Sequence, residues 1–476
     1  MKYDYDLVVI GGGAAGLVAA TGGAALGAKT ALIEKNKLGG DCTWYGCVPS
    51  KTLLKSAQII SLFKRSADFG IKGPAKGSYD VSGVMPHVRK IRNKVSAHHP
   101  PEVFEKRGIK VIFGAPEFID NKTVKVNKSK ITSKRFIICT GSRPLVPSID
   151  GLMETGYFTN ETIFDLDTLP KSIAVLGGGP IGIELAQALN RLGVEVSIIE
   201  MMDRILFRED KEAASALSKV LIKEGIKIFT GKKAVKFAKD ERGIVISLED
   251  KDRVLSSIRA EKALIAIGRA PSLEGLALEN AGVRTNKKGV GVNEFLQTSK
   301  NNIYACGDIA GPYQFSHMAE YQAIIALGNA LFPFKRKVDY SSVPWCTFTD
   351  PELAHLGLTE EEAKKQYSGV KVYKSSYAAN DRAVTDIEEN GFAKVVCDRR
   401  GRILGAHIVG SQAGELLHEY VLAKSMKLGL GKLASPIHIY PTLAQIVKRT
   451  GEAPLTEILA SKWFSRFSKL MLKLLR

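Results

Sequence analysis

The chain has 476 residues, 45% hydrophobic and 25% charged, which leaves room for about three globular domains and excludes a disordered or fibrous chain. Six cysteines in that length exclude a disulfide-stapled scaffold and suit a reducing compartment where only a catalytic pair cycles. The formal net charge of +19 raises nucleic acid and anionic membrane as partners. No nucleic-acid module is present, however, and the cation clusters 122–128 and 130–135 interleave polar with apolar residues as solvated strand faces do.

The first six residues carry acids and no small-residue cleavage site, so no signal peptide is expected and the cytoplasm is the expected location. Residues 7–28 are uncharged and about long enough to span a bilayer. Their glycine content and the break after Ile10 fit a strand, a turn and a helix better. Leu7-Val8-Val9-Ile10 suits a buried parallel strand. Gly11-Gly12-Gly13-Ala14-Ala15-Gly16 opens a helix running through Leu26, and Thr30 to Glu34 is a second strand ending in an acid. In this dinucleotide-binding pattern Gly11 permits the tight turn, Gly13 lets the backbone approach a pyrophosphate, and Gly16 lets the helix pack on the strand. Glu34 would accept hydrogen bonds from a ribose.

Gly39-Gly40-Asp41-Cys42-Thr43-Trp44-Tyr45-Gly46-Cys47-Val48-Pro49-Ser50-Lys51 follows and leads into a helix at Thr52. Two cysteines at this spacing can close a disulfide within a short loop or helical turn, a bond opened by two electrons and re-formed by thiol exchange. Cys139, Cys306, Cys346 and Cys397 lie far apart, mostly in apolar stretches, and read as buried free thiols.

Further on, Arg135 to Cys139 reads as a strand running into the turn Thr140-Gly141-Ser142-Arg143-Pro144. The dinucleotide pattern then returns as Ile173 to Leu176, Gly177-Gly178-Gly179-Pro180-Ile181-Gly182, a helix through Leu192, and a strand ending in Glu200. Both glycine sets and both acids share one constant offset, which implies two sites for two dinucleotides and an electron relay between them. A carboxylate at Glu200 favours a free 2′-hydroxyl and repels a 2′-phosphate, so NADH is expected over NADPH; Arg204 and Arg208 lie a little beyond. Ala263 to Pro271, with Gly268, repeats the earlier strand-and-turn theme. Asn302 to Cys306 is a strand ending in Gly307-Asp308, where a carboxylate can hold a polyol such as the ribityl chain of a flavin. Ala393 to Asp398 and Arg402 to Gly410 look like antiparallel strands about an Asp-Arg-Arg-Gly turn, with helices expected at 415–426 and 441–448.

With these motifs in one order, the chain resembles the pyridine nucleotide-disulfide oxidoreductases over almost its whole length. The resemblance implies an α/β fold with two Rossmann-like domains and a C-terminal α+β dimerisation domain. FAD would be bound by 1–147 and 273–340, NAD(P) by 148–272, and 341–455 would form the interface of a homodimer. It implies FAD contacts from Gly11, Gly13, Ala14, Ala15, Gly16, Glu34, Lys35, Gly40, Asp41, Cys42, Lys51, Thr140, Gly141, Gly307 and Asp308. It implies NAD(P) contacts from Gly177, Gly179, Gly182, Glu200 and Gly268. Cys47 would be the flavin-side thiolate, Cys42 the outer thiol that attacks the substrate, and Lys51 would pair with Glu184 near the flavin. Pro180 stands where many members carry an aromatic gate.

One departure concerns the acceptor side. Disulfide reductases carry a histidine just before Pro-Thr, oriented by a glutamate; here Tyr440 and Gln445 replace both. Tyrosine is a poor base at neutral pH. His438, two residues away, would point the same way on an extended segment and could substitute. Tyr440 is what mercuric reductases carry, so the sequence looks closest to that branch. Yet mercuric reductases capture their metal with a C-terminal cysteine pair, and here the last eight residues contain no cysteine and no N-terminal metal-binding extension is seen. The resemblance therefore marks the branch and does not point to mercury as substrate; no resident metal is expected. The function implied is an FAD-dependent NAD(P)H oxidoreductase working through Cys42 and Cys47 on an unidentified acceptor. The alternatives are a dihydrolipoyl dehydrogenase and a membrane-associated donor to a quinone or protein.

That last alternative comes from 456–476. Trp463, Phe464, Phe467, Leu470, Met471, Leu474 and Leu475 share one helical face, and Lys462, Arg466, Lys469, Lys473 and Arg476 lie mostly on the other. Such a helix suits an anionic membrane surface, peripheral on the inner face, or packs at home on its own dimer.

Overall fold

The computed structural model describes residues 2–72 and 79–475; Arg476 of the tail lies outside them. The uncharged stretch near the start forms the strand Tyr5–Ile10 and the helix Ala14–Ala25. The strand is buried because parallel neighbours flank it on both edges, Thr30–Glu34 and Ser129–Ile138. Ile109–Phe113 extends this sheet on one side. Ser129–Ile138 is shared: its first half pairs with the antiparallel Thr123–Val126 and its second half with Ile303–Ala305. The late Gly307-Asp308 segment is thereby delivered to the same sheet end as the Gly11 turn. The cations Lys125, Lys128, Lys130 and Lys134 are exposed on these strands.

The second glycine motif begins a separate parallel sheet, ordered Lys227–Thr230, Glu195–Glu200, Ser172–Leu176 and Lys262–Ile265. An antiparallel layer of Lys232–Asp240, Gly243–Asp250 and Leu255–Ala260 packs beside it. The chain passes between the two parallel-sheet units through Ser142–Pro144 and returns through Arg269–Pro271. These segments, expected as turns, pair with each other as antiparallel strands, because the two crossings lie side by side and satisfy each other's backbone groups.

The C-terminal part is a five-stranded antiparallel sheet in the order Pro344–Thr347, Glu352–Gly357, Ile403–Gly410, Phe392–Cys397, Lys371–Ser376. The helix Ala413–Ser425 covers it. The last expected helix starts at Gln445 rather than Pro441 and runs to Leu459. Residues 438–444 stay irregular, and the Gln445 side chain donates to the carbonyls of His438 and Ile439. The tail is two helices, not one continuous stripe: Ser461 caps the start of Lys462–Leu474. No helix among the described residues is long and apolar enough to cross a membrane.

Charged clamps join the second sheet unit to the C-terminal one. Arg191, at the end of the helix Pro180–Arg191, bonds both Glu224 and Asp350 at 2.6 Å. Lys394 meets Asp210 at 3.0 Å with both side chains buried. Glu209 takes hydrogen bonds from the Trp345 indole (2.6 Å) and from His355 (2.9 Å). Removing one member of a buried clamp leaves an uncompensated charge. Arg191→Ala should therefore cost about 3 kcal/mol, read as a lowered unfolding midpoint in denaturant, while Lys219→Ala, exposed on the same unit, leaves it unchanged.

Candidate active site

The two glycine turns have the same construction. Gly11 has φ +103° and Gly177 φ +108°, and a side chain on either would strike the carbonyl of Cys139 or Ala266. A Cβ on Gly16 or Gly182 would strike the carbonyl of Gly11 or Gly177, so each helix packs directly on its own turn. The Glu34 carboxylate accepts the Gly12 amide at 2.6 Å and the Asn36 amide at 2.7 Å. Glu200 repeats this with Gly178 at 2.7 Å and Met202 at 2.8 Å. A Cβ on Gly179 would meet nothing within 4 Å, and one on Gly13 only Gly40. Each loop thus leaves open space where a pyrophosphate would meet a helix N-terminus. Ala14 and Ala15 begin the first helix, and Lys35 is exposed just past the Glu34 strand.

The first turn touches the redox element. Gly39 donates to the Gly12 carbonyl at 2.9 Å, and a Cβ on Gly40 would sit 2.6 Å from Gly13 Cα. Gly40 opens the short helix Gly40–Trp44 that holds Asp41 and Cys42, and Cys47 is the first residue of the helix Cys47–Lys64. Cys47 therefore lies at the positive end of a helix dipole, where a thiolate is favoured. Its thiol is pulled down to about 6 by the hydrogen bond from Cys42, with help from the Ser316 hydroxyl and the Lys51 charge against the effect of burial. Cys42 is pushed up, first by giving that hydrogen bond and then by burial. The two cysteines are thus chemically unlike: their surroundings favour the thiolate at Cys47 and the thiol at Cys42.

About one helical turn past Cys47, Lys51 Nζ pairs with Glu184 Oε2 at 2.8 Å, and the other Glu184 oxygen accepts the Phe348 amide at 2.9 Å. Lys51 also stands over the Phe348 ring, 4.4 Å from its centroid. Glu184 is buried on the helix Pro180–Arg191, so this contact joins all three sheet units beside the thiols. Asp308 lies at the end of Ile303–Ala305 and accepts the Ser142 hydroxyl at 2.5 Å. Burial pushes its carboxyl up, opposed by Ser142 and the Arg269 charge. Arg269 reaches both the Ser142 hydroxyl (2.7 Å) and Asp41 (3.1 Å). Thr140 donates to the Ser272 carbonyl at 2.9 Å, and Gly141 and Gly268 carry the positive φ of the paired crossings. The glycine amides as donors, with Glu34 and the half-buried Asp308 carboxylate at the sheet end as acceptors, fit the needs of a flavin dinucleotide.

Sequence reading missed Ser316, Ser142, Arg269 and Phe348 as site neighbours. Only the Gly-Ser-Arg-Pro and Gly-Arg-Ala-Pro repeats gave a signal, for Ser142 and Arg269. Cys139 and Cys306, far apart in sequence, have their sulfurs 3.5 Å apart at neighbouring strand ends, both buried.

On the acceptor side the structure separates His438 from Tyr440, contrary to the expectation that they point the same way. The segment is not a regular strand, so alternation fails. His438 is buried, with Nε2 3.1 Å from Glu419 and Nδ1 3.0 Å from the Pro436 carbonyl. Tyr440 is exposed and donates to Asp381 at 2.8 Å, which raises its phenol further. Ile437 and Ile439 are also exposed. Among the described residues no three His, Cys, Asp or Glu side chains gather as a metal site.

Residues 5–323 match the family model for pyridine nucleotide-disulphide oxidoreductase, and 343–450 match the dimerisation domain of that family. The chain belongs to the pyridine nucleotide-disulphide oxidoreductases. It is 36% identical to the mercuric reductase of Staphylococcus aureus over 449 residues, covering 94% of this chain and 81% of that protein. It is 36% identical to the dihydrolipoyl dehydrogenase of Bacillus subtilis (strain 168) over 474 residues, covering 96% and 98%. The structure of the HOCl-induced flavoprotein disulfide reductase RclA from Escherichia coli superposes with a TM-score of 0.84 at 28% identity, covering 94% of this chain and 99% of that one. As a pyridine nucleotide-disulphide oxidoreductase the protein is an FAD-dependent NAD(P)H enzyme with a dimerisation domain.

A thiolate held at about 6 sets a spectroscopic expectation. The long-wavelength absorbance of the anaerobically reduced enzyme should be full at pH 8 and fall as pH drops through about 6, because Cys47 protonates there. Cys47→Ser should abolish the band, whereas Cys42→Ser should keep one. A band that survives Cys47→Ser would reverse the assignment of the two thiols.

Proposed function

We propose that this enzyme oxidises NADH and delivers the two electrons through the Cys42–Cys47 pair to an acceptor whose reduction needs no histidine base. The observation that carries this reading is the acceptor side itself: Tyr440 is committed to Asp381, and both ring nitrogens of His438 face acceptors. With both ring nitrogens engaged by protein oxygens, His438 presents neither to a thiol.

In the balanced cycle NADH reduces the disulfide to the Cys42 thiol and the Cys47 thiolate and releases NAD⁺. The pair then gives two electrons to the acceptor and closes again, the Cys42 proton passing to an organic acceptor or, with a metal ion, to solvent. FAD, when bound, relays the hydride electrons of the nicotinamide to the disulfide. Gly11, Gly13, Gly16 and Glu34 would hold its nucleotide half, and Asp308, steadied by Ser142 and Arg269, its ribityl chain. Lys51 keeps a positive charge beside Cys47 and is itself fixed by Glu184. Cys42, the outer and protonated thiol, meets the acceptor. A thiophilic metal ion is the first acceptor class, since a vicinal dithiol binds such ions as thiolates without a protein base, and relatives are named for mercuric ion and, in RclA, solved with Cu(II). A quinone is the second, favoured by the basic tail of 456–476, which would place a cytoplasmic enzyme on the inner membrane surface. Lipoamide is disfavoured on both counts.

NADH is favoured by Glu200, which stands ready for a ribose diol. Arg204 Nη2 donates to the Phe207 carbonyl at 2.9 Å, a bond that competes with its use on a 2′-phosphate. The ratio of kcat/KM for NADH over NADPH should exceed about tenfold; an inverted ratio would refute the assignment. Lipoamide turnover should be low in the natural chain. Tyr440→His combined with Gln445→Glu should raise it by about 100-fold, the usual contribution of a positioned base. Turnover of the natural chain at the level of an ordinary dihydrolipoyl dehydrogenase would remove the reading.

A further inference from the structure

The helix Lys462–Leu474 has no buried residue. Home packing, one of its two expected fates, does not occur within the subunit. Trp463 is 69% exposed, Leu470 57% and Leu474 72%. The Trp463 and Phe467 rings stack on one another with centroids 5.6 Å apart, forming a flat aromatic plate. At 100° per residue these side chains and Met471 occupy one continuous face, while Lys462, Arg466, Lys469 and Lys473 form a narrow row along one flank of it. No acid occurs from residue 458 to the end.

We infer that this helix lies flat on an anionic phospholipid bilayer, its aromatic and aliphatic face immersed at the headgroup boundary and its cations reaching lipid phosphates. Three observations choose the bilayer over other occupants. The row of four cations complements a phosphate surface, and long lysine and arginine stems snorkel to one while their apolar neighbours descend. A second copy of the tail offers those cations no acid at all. The match to the family's dimerisation domain ends at residue 450, so this helix lies outside the stretch shared with that domain. Thirteen residues extend about 20 Å as a helix, short of the roughly 30 Å of a hydrocarbon core, so the helix rests on the membrane and does not cross it. The proposal deepens the quinone reading and rests on it only for what docking achieves: access of the dithiol to an acceptor dissolved in lipid.

The test is co-sedimentation of the FAD-loaded full chain with vesicles of phosphatidylcholine alone or mixed equally with phosphatidylglycerol. The full chain should bind the anionic vesicles at least about tenfold better than the neutral ones, and salt should weaken binding. A chain ending at Ala460 should stay in the supernatant. So should the full-length variant with Lys462→Gln, Arg466→Gln, Lys469→Gln and Lys473→Gln, which keeps the apolar face. Both should oxidise NADH with ferricyanide at the rate of the natural chain. Equal binding by the shortened chain, no binding by the natural one, or loss of the dimer on shortening (seen by light scattering) would each overturn the proposal. Failure of NADH oxidation in every form would sink the electron-relay reading and leave the docking result standing.

Discussion

The ion pair between Lys51 and Glu184 is the contact on which the arrangement of this molecule depends. Lys51 belongs to the redox helix, Glu184 to the helix behind the second glycine turn, and the spare Glu184 oxygen holds the Phe348 backbone of the C-terminal sheet unit. A buried carboxylate is tolerated only when its oxygens are satisfied. Here the satisfying groups come one from each of the other two units. The need to neutralise one charge therefore fixes how three independently formed sheets meet, and it does so next to the thiols. Arg191, on the same helix, repeats the device with Glu224 and Asp350.

The two glycine loops show how far one solution can be reused. In both, a strand-end glutamate accepts the amide of the middle glycine and an amide two residues downstream. The carboxylate is thereby locked before any ribose binds, which lowers the ordering cost of binding. What differs is the neighbourhood. The first loop is bonded to the redox helix through Gly39 and Gly40, while the second is backed by Arg204 and the loop that reaches the C-terminal unit. The same loop construction thus sits in two different settings, one against the cysteine pair and one against the C-terminal unit.

Much of this was legible in the sequence because the motifs are local. Turn, helix and acid fall within about two dozen residues, and the cysteine pair starts a helix at its own second member. The fold class followed from their order. Ser316 beside Cys47, Ser142 beside Asp308, and Cys139 beside Cys306 were not legible, since each is a contact between segments joined only by tertiary structure. His438 was misjudged for another reason. Period-two reasoning assumes a regular strand, and 438–444 is irregular, so two residues of like register ended with unlike partners. The tail's amphipathic face was plain in sequence; its lack of partners inside the subunit was not, nor was the break at Ser461.

The paired crossings Ser142–Pro144 and Arg269–Pro271 carry one more consequence. Both ends of the second dinucleotide unit leave the first at a single hydrogen-bonded ribbon, so the unit is an insertion whose termini already touch. A segment with adjacent ends can collapse on its own without waiting for the flanking chain, and the interrupted host needs to close only a short gap around it. The second sheet unit is in this sense a cassette. Its removal or exchange for another would leave the host sheet's strand order, in which Ile303–Ala305 joins Ser129–Ile138, topologically intact.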